Sequence, residues 1–61
     1  MTYVEIRELI RTRHELRRVA AEGRQAEAQE LIQRLRALAE HDPAERAELE
    51  PELNRWQIRF A

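Results

Sequence analysis

The 61-residue sequence has no cysteine, no serine and no lysine; it holds one glycine, two prolines, and one each of Tyr, Trp and Phe. Each shortage closes a route. Without cysteine there are neither disulfides nor thiolate zinc sites, the usual staples of a chain too short to build a large core. Without serine, cysteine and lysine the common nucleophiles and Schiff-base chemistry are gone. Thr2 as an N-terminal nucleophile needs loss of Met1, and a helix-capping role accounts for it more simply. Stretches free of charge are only a few residues long, so nothing in the sequence spans a bilayer. Glu5 and Arg7 stand where a secretory signal would need an apolar run, which makes a cytoplasmic location the expectation.

The charges that are present nearly cancel: 11 Arg against 12 acidic residues, net −1, with 38% of all residues charged. A chain dominated by phosphate binding carries a clear basic excess, and this one does not. Seventeen residues are large and apolar. Ordering a residue costs roughly 1.5 kcal/mol of conformational entropy, which a core of that size barely offsets. With disulfides and zinc excluded, a partner chain is the expected staple.

Ala, Leu, Glu, Arg and Gln dominate, all strong helix formers. Thr2 and Glu5 have capping-box spacing. From there Ile6, Leu9, Ile10, Leu16, Val19 and Ala20 recur with a helical period, which predicts helix 1 over residues 3–22 with Gly23 just past its end. Ala28, Leu31, Leu35 and Leu38, with Ile32 and Ala39 beside them, predict helix 2 over 25–41. The heptad register slips by one residue between Leu9/Leu16 and Leu31/Leu38, and Gly23 lies at the slip. That favours an antiparallel hairpin over a single unbroken helix. Asp42-Pro43-Ala44-Glu45 opens a third segment, 43–60, with Asp42 as cap and Pro43 at the first helical position. Pro51 should kink this segment. Leu49, Leu53, Trp56 and Phe60 keep one helical stripe across it, although residues 56–60 also alternate as a strand would. The expected fold is therefore all-α: a helical hairpin plus a Pro-kinked C-terminal helix, completed into a bundle by homodimerisation.

Glu22-Gly23 followed by Glu27-Ala28 is similar to the inter-helix turn of tetratricopeptide repeats over about twenty residues. The preceding helix lacks the small residue and the aromatic of that pattern, and Pro43 falls too late, so the likeness is one of hairpin physics.

Metal and cofactor chemistry find little support. His14-Glu15 begins like a zinc-protease helix motif, but position 18 is Arg, so the second ligand is missing. No His has Glu three residues before it, so the carboxylate-bridged di-iron pattern fails too. No catalytic, cofactor-binding or metal-binding residue is expected.

Two polar features stand out. Arg7, Arg11, His14 and Arg18 draw a basic ridge that could follow a phosphate backbone. Against this, Glu8, Glu15 and Glu22 run beside the ridge at ion-pair spacing. Arg13 is the odd residue, falling within the apolar stripe of Ile6, Leu9, Leu16 and Ala20. A lone buried charge costs several kcal/mol, so Arg13 either pairs with a carboxylate from another helix or reaches water at a thin core edge.

The candidate protein interface is Leu9, Arg13, Leu16, Leu49, Leu53, Trp56 and Phe60, with the two C-terminal aromatics beside Arg55 and Arg59 as anchors. The expected function is a small regulatory interaction protein of bacterial or phage type that binds a protein partner through a helix face. The alternative is a dimeric hairpin that grips RNA or DNA with Arg7, Arg11, His14 and Arg18.

Overall fold

The computed structural model describes residues 2–60, and Met1 and Ala61 lie outside them. Its elements are three α-helices, α1 (Tyr3–Ala21), α2 (Gln25–Ala39) and α3 (Pro43–Arg59), with no strand among the described residues. The C-terminal strand alternative is thereby excluded: Trp56 to Arg59 are helical, and Phe60 caps α3 with its N–H donating to the Trp56 carbonyl at 3.0 Å.

Each helix boundary has a local cause. At the start of α1 the Thr2 hydroxyl accepts the Glu5 N–H at 3.2 Å, and the Glu5 carboxylate receives the Thr2 N–H at 3.3 Å, a complete capping box. At its end Gly23 adopts φ +73°. The Gly23 N–H then reaches the Ala20 carbonyl at 3.1 Å and the Arg24 N–H reaches that of Val19 at 3.2 Å. These two bonds are the pair of a Schellman turn, which satisfies carbonyls the helix leaves open. The chain breaks into a hairpin at the register slip.

The N-cap position of α2 is Arg24, which makes no side-chain cap bond. Instead its guanidinium lies 3.3 Å from Glu27 in the first turn. The end of α2 comes at Ala39, two residues before the expected position, with His41 in the turn that follows. The last turn tightens to bonds three residues back, Glu40 N–H to the Ala37 carbonyl at 3.3 Å and Asp42 N–H to that of Ala39 at 3.2 Å, and Pro43 disfavours helical backbone at the residue before it. Asp42 accordingly is extended, with φ −123° and ψ 98°, and its Oδ1 accepts the Glu45 N–H at 3.2 Å.

Pro51 sits inside α3, which continues through it. Proline removes one helical N–H and so frees the carbonyl four residues back, that of Ala47. Both Pro51 and Ala47 lie on the exposed face, where water can take that carbonyl.

The helix in the middle is α2, which packs on both neighbours, whereas the backbones of α1 and α3 stay apart. Two short connections make α2 antiparallel to each flank, so α1 and α3 run the same way. The core is Leu9, Leu16, Val19 and Ala20 of α1, Ala28, Ile32, Leu35 and Ala39 of α2, and Leu49, Leu53 and Phe60 at the other side. Ala28 and Ala39 are fully enclosed and let the helices approach closely. Gln29 closes the bundle end by donating from Nε2 to the Phe60 carbonyl at 2.7 Å, tying the first turns of α2 to the last of α3.

Candidate protein-binding surface

Most of the nominated interface residues are consumed by the chain's own core. Leu9, Leu16, Leu49, Leu53 and Phe60 are buried against one another, and Trp56 packs half-buried at the edge. The Trp56 and Phe60 rings stack with centroids 6.1 Å apart, and the Arg59 guanidinium lies over both at 5.7 and 5.5 Å. Such contacts fix the rings against the bundle end.

Arg13 finds its carboxylate on α3. Its Nη2 donates to Glu52 Oε1 at 3.4 Å, and its Nε lies 3.0 Å from Oε2. The Nε–Oε2 contact is one of charge, because neither atom has hydrogen-bond alignment although both are buried. Arg17 adds a second cation 3.8 Å from the same carboxylate. The Arg13 side chain keeps 36% of its exposure while Glu52 keeps 14%, so of the two alternatives for Arg13 the structure has the pairing with a carboxylate from another helix, at a half-exposed position. The partner, Glu52, carried no signal in the sequence; it lies one helical step before Leu53, in the middle of the face that α3 turns toward α1.

The basic ridge has the expected placement but not the expected partners. Arg7, Arg11, His14 and Arg18 are all exposed on α1. Of the four ion-pair spacings around them, Glu8–Arg11, Arg11–Glu15, Glu15–Arg18 and Arg18–Glu22, only Glu15–Arg18 closes, at 2.6 Å. That carboxylate raises the pKa of Arg18, first by hydrogen bonding and then by charge. Arg7 instead lies over the Tyr3 ring, 5.9 Å from its centroid. Among the described residues Arg11 and His14 make no ion pair.

The apolar surface left uncovered lies elsewhere, on the first half of α1. Tyr3 is 74% exposed, Ile6 42% and Ile10 48%. At 100° per residue these three fall within about 60° of one another, on a strip between the core-facing side and the basic ridge. Val4 and Ile58, also exposed, lie singly on other faces and need no explanation. The sequence did contain this signal: Ile10 is rotated about 100° from Leu9, so one inward face cannot hold both. Thr12, overlooked beside the aliphatic residues, takes the inward place instead and is 3% exposed.

The strip has two unlike edges. Arg7, Arg11 and His14 border it on one side. On the other lies the first half of α3, whose Glu45 and Glu48 share a shallow cleft with Arg13 and Arg17. Neither of these glutamates pairs with a cation among the described residues. The register that joins Arg13 to Glu52 brings Glu45 and Glu48 level with Ile6 and Ile10, at 1.5 Å per residue. A separate cleft of about 510 Å³ between α2 and α3 is lined mainly by charged and amide side chains, among them Arg36, Glu40, Arg46, Asn54 and Gln57. Among the described residues no three His, Asp or Glu side chains gather to hold a metal ion. No described helix is long and apolar enough to cross a membrane. Compared with protein-family models, curated proteins and solved structures, the chain matches none.

Proposed function

We propose that this chain is a small cytoplasmic interaction protein, without catalysis of its own, that works by presenting a helix face to a protein partner. The observation that carries this reading is the exposed strip of Tyr3, Ile6 and Ile10 on α1, on a molecule whose other large apolar side chains are mostly spent in its core. Clustered exposed apolar groups rimmed by charge mark interaction sites, whereas single ones do not. The capping box at the start of α1 supports the same reading, because it favours helical form in the first turn, where Tyr3 sits, before any partner arrives.

A photo-crosslinking residue placed at Tyr3 or Ile10, and at the exposed control positions Ala26 and Ala47, tests this in cells of the source organism. Discrete protein adducts from positions 3 and 10, absent from 26 and 47 and lost when Ile6 is changed to Glu, are the expected result. Adducts that are equal at all four positions would overturn it.

A second reading keeps one observation in its favour: Arg7, Arg11 and His14 are exposed and unpaired with acids, so the glutamates beside them screen phosphate less than their spacing implies. Under that reading the ridge tracks a nucleic-acid backbone. Salt-dependent RNA or DNA binding that disappears in the Arg7→Gln/Arg11→Gln/Arg18→Gln variant would establish it. The net charge of −1 weighs on the other side.

A further inference from the structure

We propose that the occupant of the α1 strip is a second copy of this chain, paired side by side with α1 parallel to α1 about a two-fold axis running along the helices. The inference rests on the strip being a protein-binding face, and adds the partner and its orientation.

Charge is what selects the partner. Across the strip the surface reads basic, apolar, acidic: Arg7, Arg11 and His14, then Tyr3, Ile6 and Ile10, then Glu45 and Glu48 of α3, which share their cleft with Arg13, Arg17 and Arg55 but pair with none of them, Arg13 and Arg17 being turned to Glu52. Turning one copy over onto another about an axis along the helices sets the basic edge of each against the acidic edge of its partner, twice. The levels also agree, because Glu45 and Glu48 stand beside Ile6 and Ile10 on their own subunit and so beside Arg7 and Arg11 on the other. Turning the copy about an axis across the helices makes α1 antiparallel and sets basic on basic and acidic on acidic. Like charges placed face to face suppress that arrangement. A two-fold contact also buries the same patch on both copies and leaves no open end for further growth.

The size fits. Three side chains at these exposures present roughly 350 Å² of largely apolar surface, the size of the largest patch on a typical monomer, which is often functional. The charged edges would supply the rest of the ~600 Å² per subunit at which stable interfaces begin. The Tyr3 ring, held under Arg7 at 5.9 Å, supplies an aromatic anchor at low entropic cost.

Sedimentation of the purified full chain across a micromolar concentration series should show a monomer–dimer equilibrium. Changing Ile6 and Ile10 together to Glu should weaken it by at least ~30-fold with the helical circular dichroism intact. The charged edges give a second test that leaves the apolar strip alone. Arg7→Glu/Arg11→Glu and Glu45→Arg/Glu48→Arg chains should each be monomeric alone and form a heterodimer when mixed.

Because the chain has no native cysteine, orientation is read directly. Tyr3→Cys and Ile10→Cys chains should each crosslink to themselves with a short bismaleimide, and mixing them should add no 3-to-10 product. A native chain that stays monomeric throughout, or a dimer indifferent to Ile6 and Ile10, would overturn the proposal. A 3-to-10 crosslink would overturn the parallel orientation. If position 3 or 10 instead captures a different protein while the native chain is monomeric, the strip remains a protein-binding face and only the second copy is wrong.

Discussion

At the scale of single residues, Gly23 decides the topology. Its φ of +73° lies where a side chain is strained, yet a Cβ built there meets nothing within 4 Å. The penalty of substitution is therefore conformational alone. Gly23→Ala should lower stability by about 1 kcal/mol, measured by urea unfolding, with the hairpin retained. Gly23 was legible in the sequence because it is unique and coincides with the register slip. Glu52 was not, since it is one of 12 acidic residues and only packing distinguishes it. Thr12 was hidden for a related reason: hydropathy ranks it as polar, while its inward position follows from geometry. Ile10 shows the converse, apolar by type and outward by angle.

At the scale of elements, the two acid caps tie helix formation to pH. Hydrogen bonds from the hydroxyl and N–H of Thr2 hold the Glu5 carboxyl below its ordinary value. The Glu45 N–H does the same for Asp42. Both groups have a lower pKa folded than unfolded. Their contribution is thus complete above the ordinary carboxylate range and lost as pH falls through the folded values. Ellipticity at 222 nm should decline on acidification below that range. An Asp42→Asn chain, whose amide oxygen still caps without titrating, should lose less. These boundaries were readable because caps are local, with every partner within three residues. The early end of α2 was not legible, because the restriction Pro43 imposes falls on Asp42 and leaves residues 40 and 41 free to continue the helix or tighten into a turn.

At the scale of the whole molecule, α3 hangs on α2 and reaches α1 through long side chains, with Arg13 and Glu52 at the seam. Removing one partner strands the other in a half-buried position. Glu52→Gln and Arg13→Gln should each cost about 1–2 kcal/mol in chemical denaturation. The double change to Arg13→Met/Glu52→Leu should come close to the native stability, since apolar packing replaces the desolvated pair. A double-mutant cycle with no coupling would show that the pair does not join α3 to α1. The all-helical class was legible from composition and period. Which faces meet was legible only in part, because the stripe on α1 is wider than the surface its two neighbours cover.

The common direction of α1 and α3 has an electrical consequence. Two helix macrodipoles point one way and one points back, so the molecule keeps a residual moment along its 31 Å axis. Its positive pole is the end where Thr2 and Asp42 begin their helices, and Glu5, Asp42 and Glu45 gather there as counter-charge. A pair built about an axis along the helices adds the two moments, where an antiparallel pair would cancel them. Such a dimer would carry a backbone moment from end to end, opposed at its positive pole by the carboxylates of both copies.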